Sequence, residues 1–171
     1  MGRCVYCDCH ENELNGPGSM NLDHFRPKKY PQFRHLVNDP HNLVWACGTC
    51  NRGKSDHWPA LGTDGTVVGN EGFIDPFVEN RRHYFDVSSN GKLVALKPPA
   101  KYITVLLALN RPHAKMKRKM RLQAYNIIPK LNERIYQLEQ QADLTAQQQQ
   151  ELELLRQSRA ASQKSLDFRL Y

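Results

Sequence analysis

Two Cys-x-x-Cys pairs constrain the fold of this chain more than any other feature of its sequence. The first pair is Cys4 and Cys7, and the second is Cys47 and Cys50. Each pair closes a tight turn that points both sulfurs at one ion, and four thiolates form the ligand set of a closed tetrahedral zinc site. We therefore predict one structural zinc. Paired cysteines of this kind also favour a reducing compartment, where thiolates bind metal instead of forming disulfides.

A fifth cysteine, Cys9, stands outside both pairs. We expect it to be a free, partly buried thiol, with exchange for one of the zinc ligands as the alternative. The neighbouring His10 is expected at the surface.

The predicted zinc would hold two intervening segments, residues 22–28 and 41–47, against the residue after the last cysteine, Asn51. The first segment reads as a strand over residues 20–25, which Arg26-Pro27 ends because proline cannot continue a strand ladder. A partner strand is predicted over residues 42–46. At Cys47 the hairpin gives way to a helix or helical turn. This arrangement brings four polar side chains together, namely Asp23, His24, Asn42 and Asn51.

This order of residues resembles that of the HNH endonucleases, whose ββα-metal motif is a hairpin and a helix that bind one catalytic divalent ion. The third residue of the family name is Asn51 here instead of histidine, a variation that the family tolerates. The resemblance covers residues 4–58 and is closest to the variety with CxYC, HFRPK and NLxxACxxCNxxKSD. Endonucleases of that variety occur in anti-phage systems of the Septu kind, in which an ATPase partners the nuclease.

The resemblance implies a role for each polar residue. Asp23 and Asn51 match the oxygen ligands of the family's metal, which suit Mg²⁺ or Mn²⁺. His24 is the expected general base, since a neutral imidazole can take a proton from water at neutral pH. Asn42 would brace the loop and orient the base, with a structural asparagine turn as the alternative. Because adjacent strand residues face opposite ways, a bulge or twist is expected near Arg26-Pro27.

Two further histidines flank the motif, His41 and His57. For both we favour a surface or core position over contact with substrate or metal.

The charge of the chain is unevenly distributed. The total is +7, from 24 Lys plus Arg and 17 Asp plus Glu, yet residues 1–58 carry 7 basic and 6 acidic side chains. Contacts with a polyanion should therefore come mainly from outside the motif, especially from the basic run at residues 111–121. Docking of this run on an acidic protein surface is the alternative, as is a solvated position for Lys54. The candidate nucleic-acid contacts are Arg26, Lys54, Arg111, Lys115, Lys117, Arg118, Lys119 and Arg121.

The rest of the chain changes its pattern twice. Asn90-Gly91 between two strand-like runs, residues 83–87 and 92–96, predicts a β-hairpin. Helical periodicity follows over residues 112–141, where Pro129 should kink or split the helix. Thr145 and Gln148 form a predicted capping box that starts a last, antiparallel helix.

The sequence therefore predicts an α+β protein. Its parts are a zinc-pinned HNH module (residues 1–58), a connection with a covering β-hairpin (residues 59–100) and a helical region with a C-terminal helical hairpin (residues 101–171). The expected function is metal-dependent hydrolysis of DNA in phage defence, and the alternative is a zinc-stabilised nucleic-acid- or protein-binding module without cleavage activity. Expected partners are DNA and an ATPase that binds the C-terminal helices. No membrane span is predicted, and we expect a cytoplasmic protein.

Overall fold

The computed structural model describes residues 2–166 and confirms a mixed α+β fold with small antiparallel hairpins. Residue 1 and residues 167–171, which are the outer ends of the predicted modules, lie outside the described part. The chain divides into two compact units, Met1–Lys117 and Arg118–Tyr171. The first contains three two-stranded sheets, and the second is helical.

The first sheet is a hairpin of β1 (Met20–His24) and β2 (Leu43–Cys47), and α1 (Gly48–Lys54) follows β2 without a loop. This confirms the predicted strands to within a residue. Pairing is continuous from Met20 opposite Cys47 to His24 opposite Leu43, so the paired residues contain no bulge. The bulge or twist expected near Arg26-Pro27 falls beyond these paired residues and stays a prediction.

An aromatic cluster around Trp58 forms much of the core of the first unit. The Trp58 ring lies 5.4 Å from Phe25, 5.5 Å from Phe33 and 6.0 Å from Phe73, measured between ring centroids. Phe25 and Phe73 are fully buried. The cluster therefore lies next to the end of β1, because Phe25 directly follows His24.

Phe73 of this cluster directly follows a short hairpin that was not predicted from the sequence. It consists of β3 (Val67–Val68) and β4 (Glu71–Gly72), within the predicted connection. Gly72 has a φ of +141°, and a Cβ there would lie 2.2 Å from the carbonyl oxygen of Thr66. Only glycine fits this close approach.

The predicted hairpin around Asn90-Gly91 is confirmed, with β5 at Phe85–Val87 and β6 at Leu93–Ala95. The helix α2 (Ala100–Leu106) follows. Beyond it, the side chain of Asn110 accepts a hydrogen bond from the Leu93 amide (2.7 Å) and donates one to the Leu93 carbonyl (3.0 Å). The link between α2 and the next helix is thus tied to β6.

The long helix α3 (Pro112–Glu139) begins in the first unit and continues into the second, where α4 (Ala146–Leu166) follows. The predicted capping box is confirmed: the Thr145 amide donates to Gln148 Oε1 at 2.9 Å, and the Gln148 amide donates to Thr145 Oγ1 at 3.3 Å. The helix α3 is not split at Pro129, so that alternative was wrong.

The second unit has its own small apolar core of Ile135, Leu138 and Leu152. Two ion pairs flank this core, Arg134 with Glu151 at 2.8 Å and Arg156 with Glu139 at 2.7 Å. Within the described residues, no helix combines a bilayer-spanning length with an apolar sequence.

Candidate metal centre and adjoining polar site

The four paired cysteines converge as the sequence predicts. All four are buried, and their sulfurs lie within 4.8 Å of one another. The Sγ atoms of Cys7 and Cys47 are 3.7 Å apart. A tetrahedral zinc with Zn–S bonds of about 2.3 Å would place its sulfurs about 3.8 Å apart. The cluster can therefore hold a metal ion such as zinc.

The four thiols of the cluster have pKa values that are shifted in opposite directions. Hydrogen bonds with Cys4 and the other thiols hold the pKa of Cys7 well below its usual range, and those with Cys4 and Cys50 lower the pKa of Cys47 to about 7. Burial raises the pKa of Cys4. The cluster thus lowers the pKa of two of the four candidate ligands, and zinc binds cysteine as the thiolate.

A guanidinium group lies directly on this cluster. Arg111 Nη2 is 3.3 Å from Cys7 Sγ and 3.5 Å from Cys47 Sγ, and Arg111 Nη1 is 3.8 Å from Cys50 Sγ. Burial alone would lower the pKa of Arg111, but the electrostatic effect of Cys7 and Cys50 outweighs it and raises this pKa. The structure therefore assigns Arg111 to the cysteine cluster, whereas the sequence had placed it among the nucleic-acid contacts.

The polar site, which consists of Asp23, His24, Asn42 and Asn51, adjoins the first cysteine pair through Tyr6. Tyr6 lies between Cys4 and Cys7 in the sequence. The Tyr6 hydroxyl donates a 2.7 Å hydrogen bond to Asp23 Oδ2. Burial and the Asp23 charge raise the pKa of Tyr6 well above its usual value, which keeps the hydroxyl as a donor. Sequence reasoning missed this residue, although its position inside the CVYC pair was a usable signal.

Lys54 contacts the same carboxylate from α1. Its Nζ lies 3.4 Å from Asp23 Oδ1 and 3.3 Å from Asp23 Oδ2, and it donates a 2.8 Å hydrogen bond to the carbonyl oxygen of His24. Lys54 is fully buried and Asp23 is 6% exposed. Burial lowers the pKa of Lys54, while Asp23 acts in the opposite direction. Lys54 thus connects the last turn of α1 to the end of β1. A phosphate contact would require an exposed lysine, so the predicted role of Lys54 as a nucleic-acid contact is wrong.

The ring of His24 is oriented by the main chain. His24 Nε2 lies 3.0 Å from the carbonyl oxygen of Val37. A carbonyl only accepts, so Nε2 carries the hydrogen and Nδ1 keeps its lone pair in the neutral ring. The side chain is half-buried.

Asn42 braces the segment after β1. Its Oδ1 accepts from the Arg26 amide at 2.7 Å, and its Nδ2 donates to the carbonyl oxygens of Arg26 (3.1 Å) and Leu36 (3.2 Å). The Phe25 amide also donates to the Asn42 carbonyl at 2.8 Å. Asn42 therefore fixes the chain leaving His24, and its expected part in orienting the base stays a prediction.

Asn51 is half-buried on α1, one turn before Lys54. Among the described residues, the four cysteines are the only cluster of three or more His, Cys, Asp or Glu side chains with metal-binding geometry. A divalent ion held by Asp23 and Asn51 alone would have one protein carboxylate among its ligands. Such a ligand set fits Mg²⁺, which usually keeps several waters and binds through one or two carboxylates together with substrate phosphates.

The remaining basic candidates are spread over different environments. The guanidinium of Arg26 is 3.5 Å from Asp75 Oδ2 and packs on the rings of Phe25 and Trp58. Arg118 and Arg121 are buried, at 2% and 4% exposure. The run at residues 111–121 is therefore not one continuous basic face. The lysines of this run remain partly or fully exposed, namely Lys115, Lys117 and Lys119.

Four residues whose roles the sequence left open differ in burial. Cys9 is fully buried and lies outside the four-cysteine cluster. His10 is buried, and its Nδ1 accepts a 3.1 Å hydrogen bond from the Asn12 amide, so its predicted surface position is wrong. His41 and His57 are exposed.

Lys54→Met is expected to lower the free energy of unfolding by about 3–5 kcal/mol, because it leaves the Asp23 carboxylate buried without its counter-charge. Urea unfolding followed by tryptophan fluorescence measures this. The matched control is Lys29→Met, which removes an exposed ion pair with Asp56 and should have little effect. Equal losses in the two variants would contradict a stabilising role for the buried pair.

Comparisons with known proteins add no relative to this description. No protein-family model matches the chain, and neither a curated protein nor a solved structure is significantly similar to it.

Proposed function

We propose that this protein is a metal-dependent endonuclease of the HNH type that hydrolyses DNA phosphodiester bonds. One observation carries the proposal: the end of β1, which bears Asp23 and His24, is held by Lys54 against α1, which bears Asn51. A module built only to hold zinc needs the four cysteines and does not require these three polar residues together. Their resemblance to the ββα-metal motif supports the same conclusion.

In the proposed reaction His24 is the general base. Its Nε2 hydrogen is engaged by the Val37 carbonyl, so Nδ1 is the atom that would take a proton from the attacking water. Asn42 holds the segment after His24 through the oxygen and the nitrogen of its side-chain amide and thereby limits movement of the base. Base catalysis of this kind is typically worth about 10²–10⁴ in rate.

The proposed divalent ion is Mg²⁺ or Mn²⁺, with Asp23 and Asn51 as its protein ligands. When bound, it would stabilise negative charge on the phosphate and on the leaving oxygen. The Asp23 carboxylate offers about four acceptor positions. Tyr6 and Lys54 use some of these, so Asp23 keeps capacity for one more partner.

We propose that the zinc in the cysteine cluster is structural and distinct from this ion. Four thiolates leave no open coordination position, whereas Asp23 and Asn51 offer the oxygen atoms that harder cations prefer. The Tyr6–Asp23 hydrogen bond provides a direct connection between the two sites.

DNA and an ATPase are the proposed partners, with a role in phage defence as the Septu resemblance implies. The proposed contacts with the DNA backbone are the partly or fully exposed lysines of the basic run, Lys115, Lys117 and Lys119. In the second unit Tyr136 and Leu154 are 63% and 57% exposed. These apolar side chains are the part of the helical hairpin that we propose for protein binding.

The second candidate function is a zinc-stabilised binding module that does not cleave. One observation favours it: Lys54 already supplies the Asp23 carboxylate with a positive partner, so the fold needs no second metal to satisfy that charge. The two candidates differ in whether added divalent metal produces any chemistry.

Plasmid cleavage separates them. Zinc-loaded protein, freed of loosely bound metal, should nick supercoiled DNA only after Mg²⁺ or Mn²⁺ is added. His24→Ala protein purified in the same way controls for contaminating nucleases. Binding of DNA without cleavage under every metal condition would support the second candidate.

A further inference from the structure

The position of Arg111 against the cysteine sulfurs suits the charge that the cluster would carry with zinc bound. Zinc with four thiolates carries two net negative charges, and in a buried cluster these charges are poorly solvated. Arg111 has N–H groups between 3.3 and 3.8 Å from three of the four sulfurs. Hydrogen bonds from a cation to anionic sulfur are of the stronger, charge-assisted kind.

The main chain holds Arg111 in this place independently of the sulfurs. The preceding residue, Asn110, is tied to both backbone groups of Leu93 on β6. Earlier in the same link, Leu107 at the end of α2 packs on Gly53, where an added Cβ would lie 3.3 Å from the Cδ2 atom of Leu107. The link is therefore anchored to β6 and to α1, which carries Cys50.

A second arginine, Arg81, lies near the first cysteine pair, but its contacts differ from those of Arg111. Its Nη1 is 3.5 Å from the Val5 carbonyl, and its guanidinium packs on the Phe85 ring at 4.3 Å. Within the described residues, Arg111 is the arginine for which hydrogen bonds to the cluster sulfurs are resolved.

We propose that Arg111 is a charge-compensating residue of the zinc centre, which slows metal loss by hydrogen bonding to three of the zinc-bound sulfurs. Outer residues of this kind typically change metal affinity by about 10–100-fold. Arg111 also couples the α2–α3 link to both cysteine pairs. The proposal rests on zinc binding by the four cysteines and does not depend on cleavage of DNA.

The test measures zinc directly. Zinc-loaded wild-type protein, Arg111→Gln and Arg111→Lys are mixed with excess chelator, and release is followed with a colorimetric zinc indicator. Arg111→Gln should release zinc about 10-fold or more faster. Arg111→Lys keeps the charge but has no planar fork of donors, so its rate should lie between the other two. Arg34→Gln, which removes an exposed charge elsewhere in the first unit, should match wild type.

Co²⁺ substitution supplies a readout that a purely structural role would not change. Loss of the N–H to sulfur hydrogen bonds should shift the thiolate-to-cobalt charge-transfer band in Arg111→Gln and leave it unchanged in Arg34→Gln. Wild-type release rates in both Arg111 variants would overturn the proposal. If Arg111→Gln does not fold, a wild-type rate and band in Arg111→Lys would overturn it. Wild-type protein that holds zinc but does not cleave DNA leaves this test fully valid.

Discussion

Replacing Cys50 with serine is expected to release the metal and unfold the first unit. Cys50 is fully buried on α1, and its sulfur is one of four that join the N-terminus, the end of β2 and α1. Structural zinc contributes about 10–16 kcal/mol to folding in small zinc-binding peptides, which exceeds the stability of most domains. Zinc content by mass spectrometry should fall below one ion per chain, and the near-UV circular dichroism of Trp58 should be lost.

Cys9→Ser is the matched control for this change. Cys9 is also a fully buried cysteine, but it lies outside the four-sulfur cluster. Its variant should keep one zinc and a native near-UV spectrum, with at most a lower melting temperature from the buried hydroxyl. If Cys9→Ser loses zinc as Cys50→Ser does, the ligand set has been assigned incorrectly. A folded Cys50→Ser protein without metal would contradict a structural zinc altogether.

The turn of each Cys-x-x-Cys pair and the end of β1 were predictable because both are local in the sequence. A Cys-x-x-Cys spacing specifies its own turn, and Arg26-Pro27 marks the end of a strand wherever it occurs. The capping box at Thr145 belongs to the same class, since its two hydrogen bonds join residues three apart. Each of these features depends on neighbours along the chain and on little else.

The partners of the long basic side chains could not be predicted in this way. Lys54 and Arg111 read as surface cations in the sequence, but Lys54 meets Asp23, 31 residues away, and Arg111 meets Cys7, 104 residues away. A buried lysine or arginine is stable only with a specific counter-charge, and the identity of that counter-charge is decided by tertiary packing. Charge counting therefore overestimated the basic surface available to a nucleic acid.

The same long-range contacts connect the metal centre with the proposed active site. Tyr6 lies within the first cysteine pair and donates to Asp23, and Lys54 on α1 contacts Asp23 and the His24 carbonyl. Loss of zinc should therefore disturb the polar site. This coupling makes it necessary to test catalysis with a variant that leaves the zinc in place.

His24→Ala is such a variant, and it is expected to slow DNA cleavage by about 10²–10⁴-fold while zinc content and DNA affinity stay close to wild type. The side chain of His24 is half-buried, and its resolved hydrogen bond is to the Val37 carbonyl, so its removal costs few contacts. The Lys54 contact is with the His24 backbone and survives the substitution. Single-turnover cleavage of a labelled duplex, with fluorescence anisotropy for binding, measures both effects.

His35→Ala controls for the loss of an imidazole, because His35 is exposed and lies outside the proposed site. It should cleave at the wild-type rate. A His24→Ala protein that cleaves as fast as His35→Ala would remove His24 from the reaction. A His24→Ala protein that loses zinc or melts like Cys50→Ser would show instead that His24 supports the fold. Only a slow, folded, zinc-loaded and DNA-binding His24→Ala variant agrees with a general base whose Nδ1 takes the proton from water.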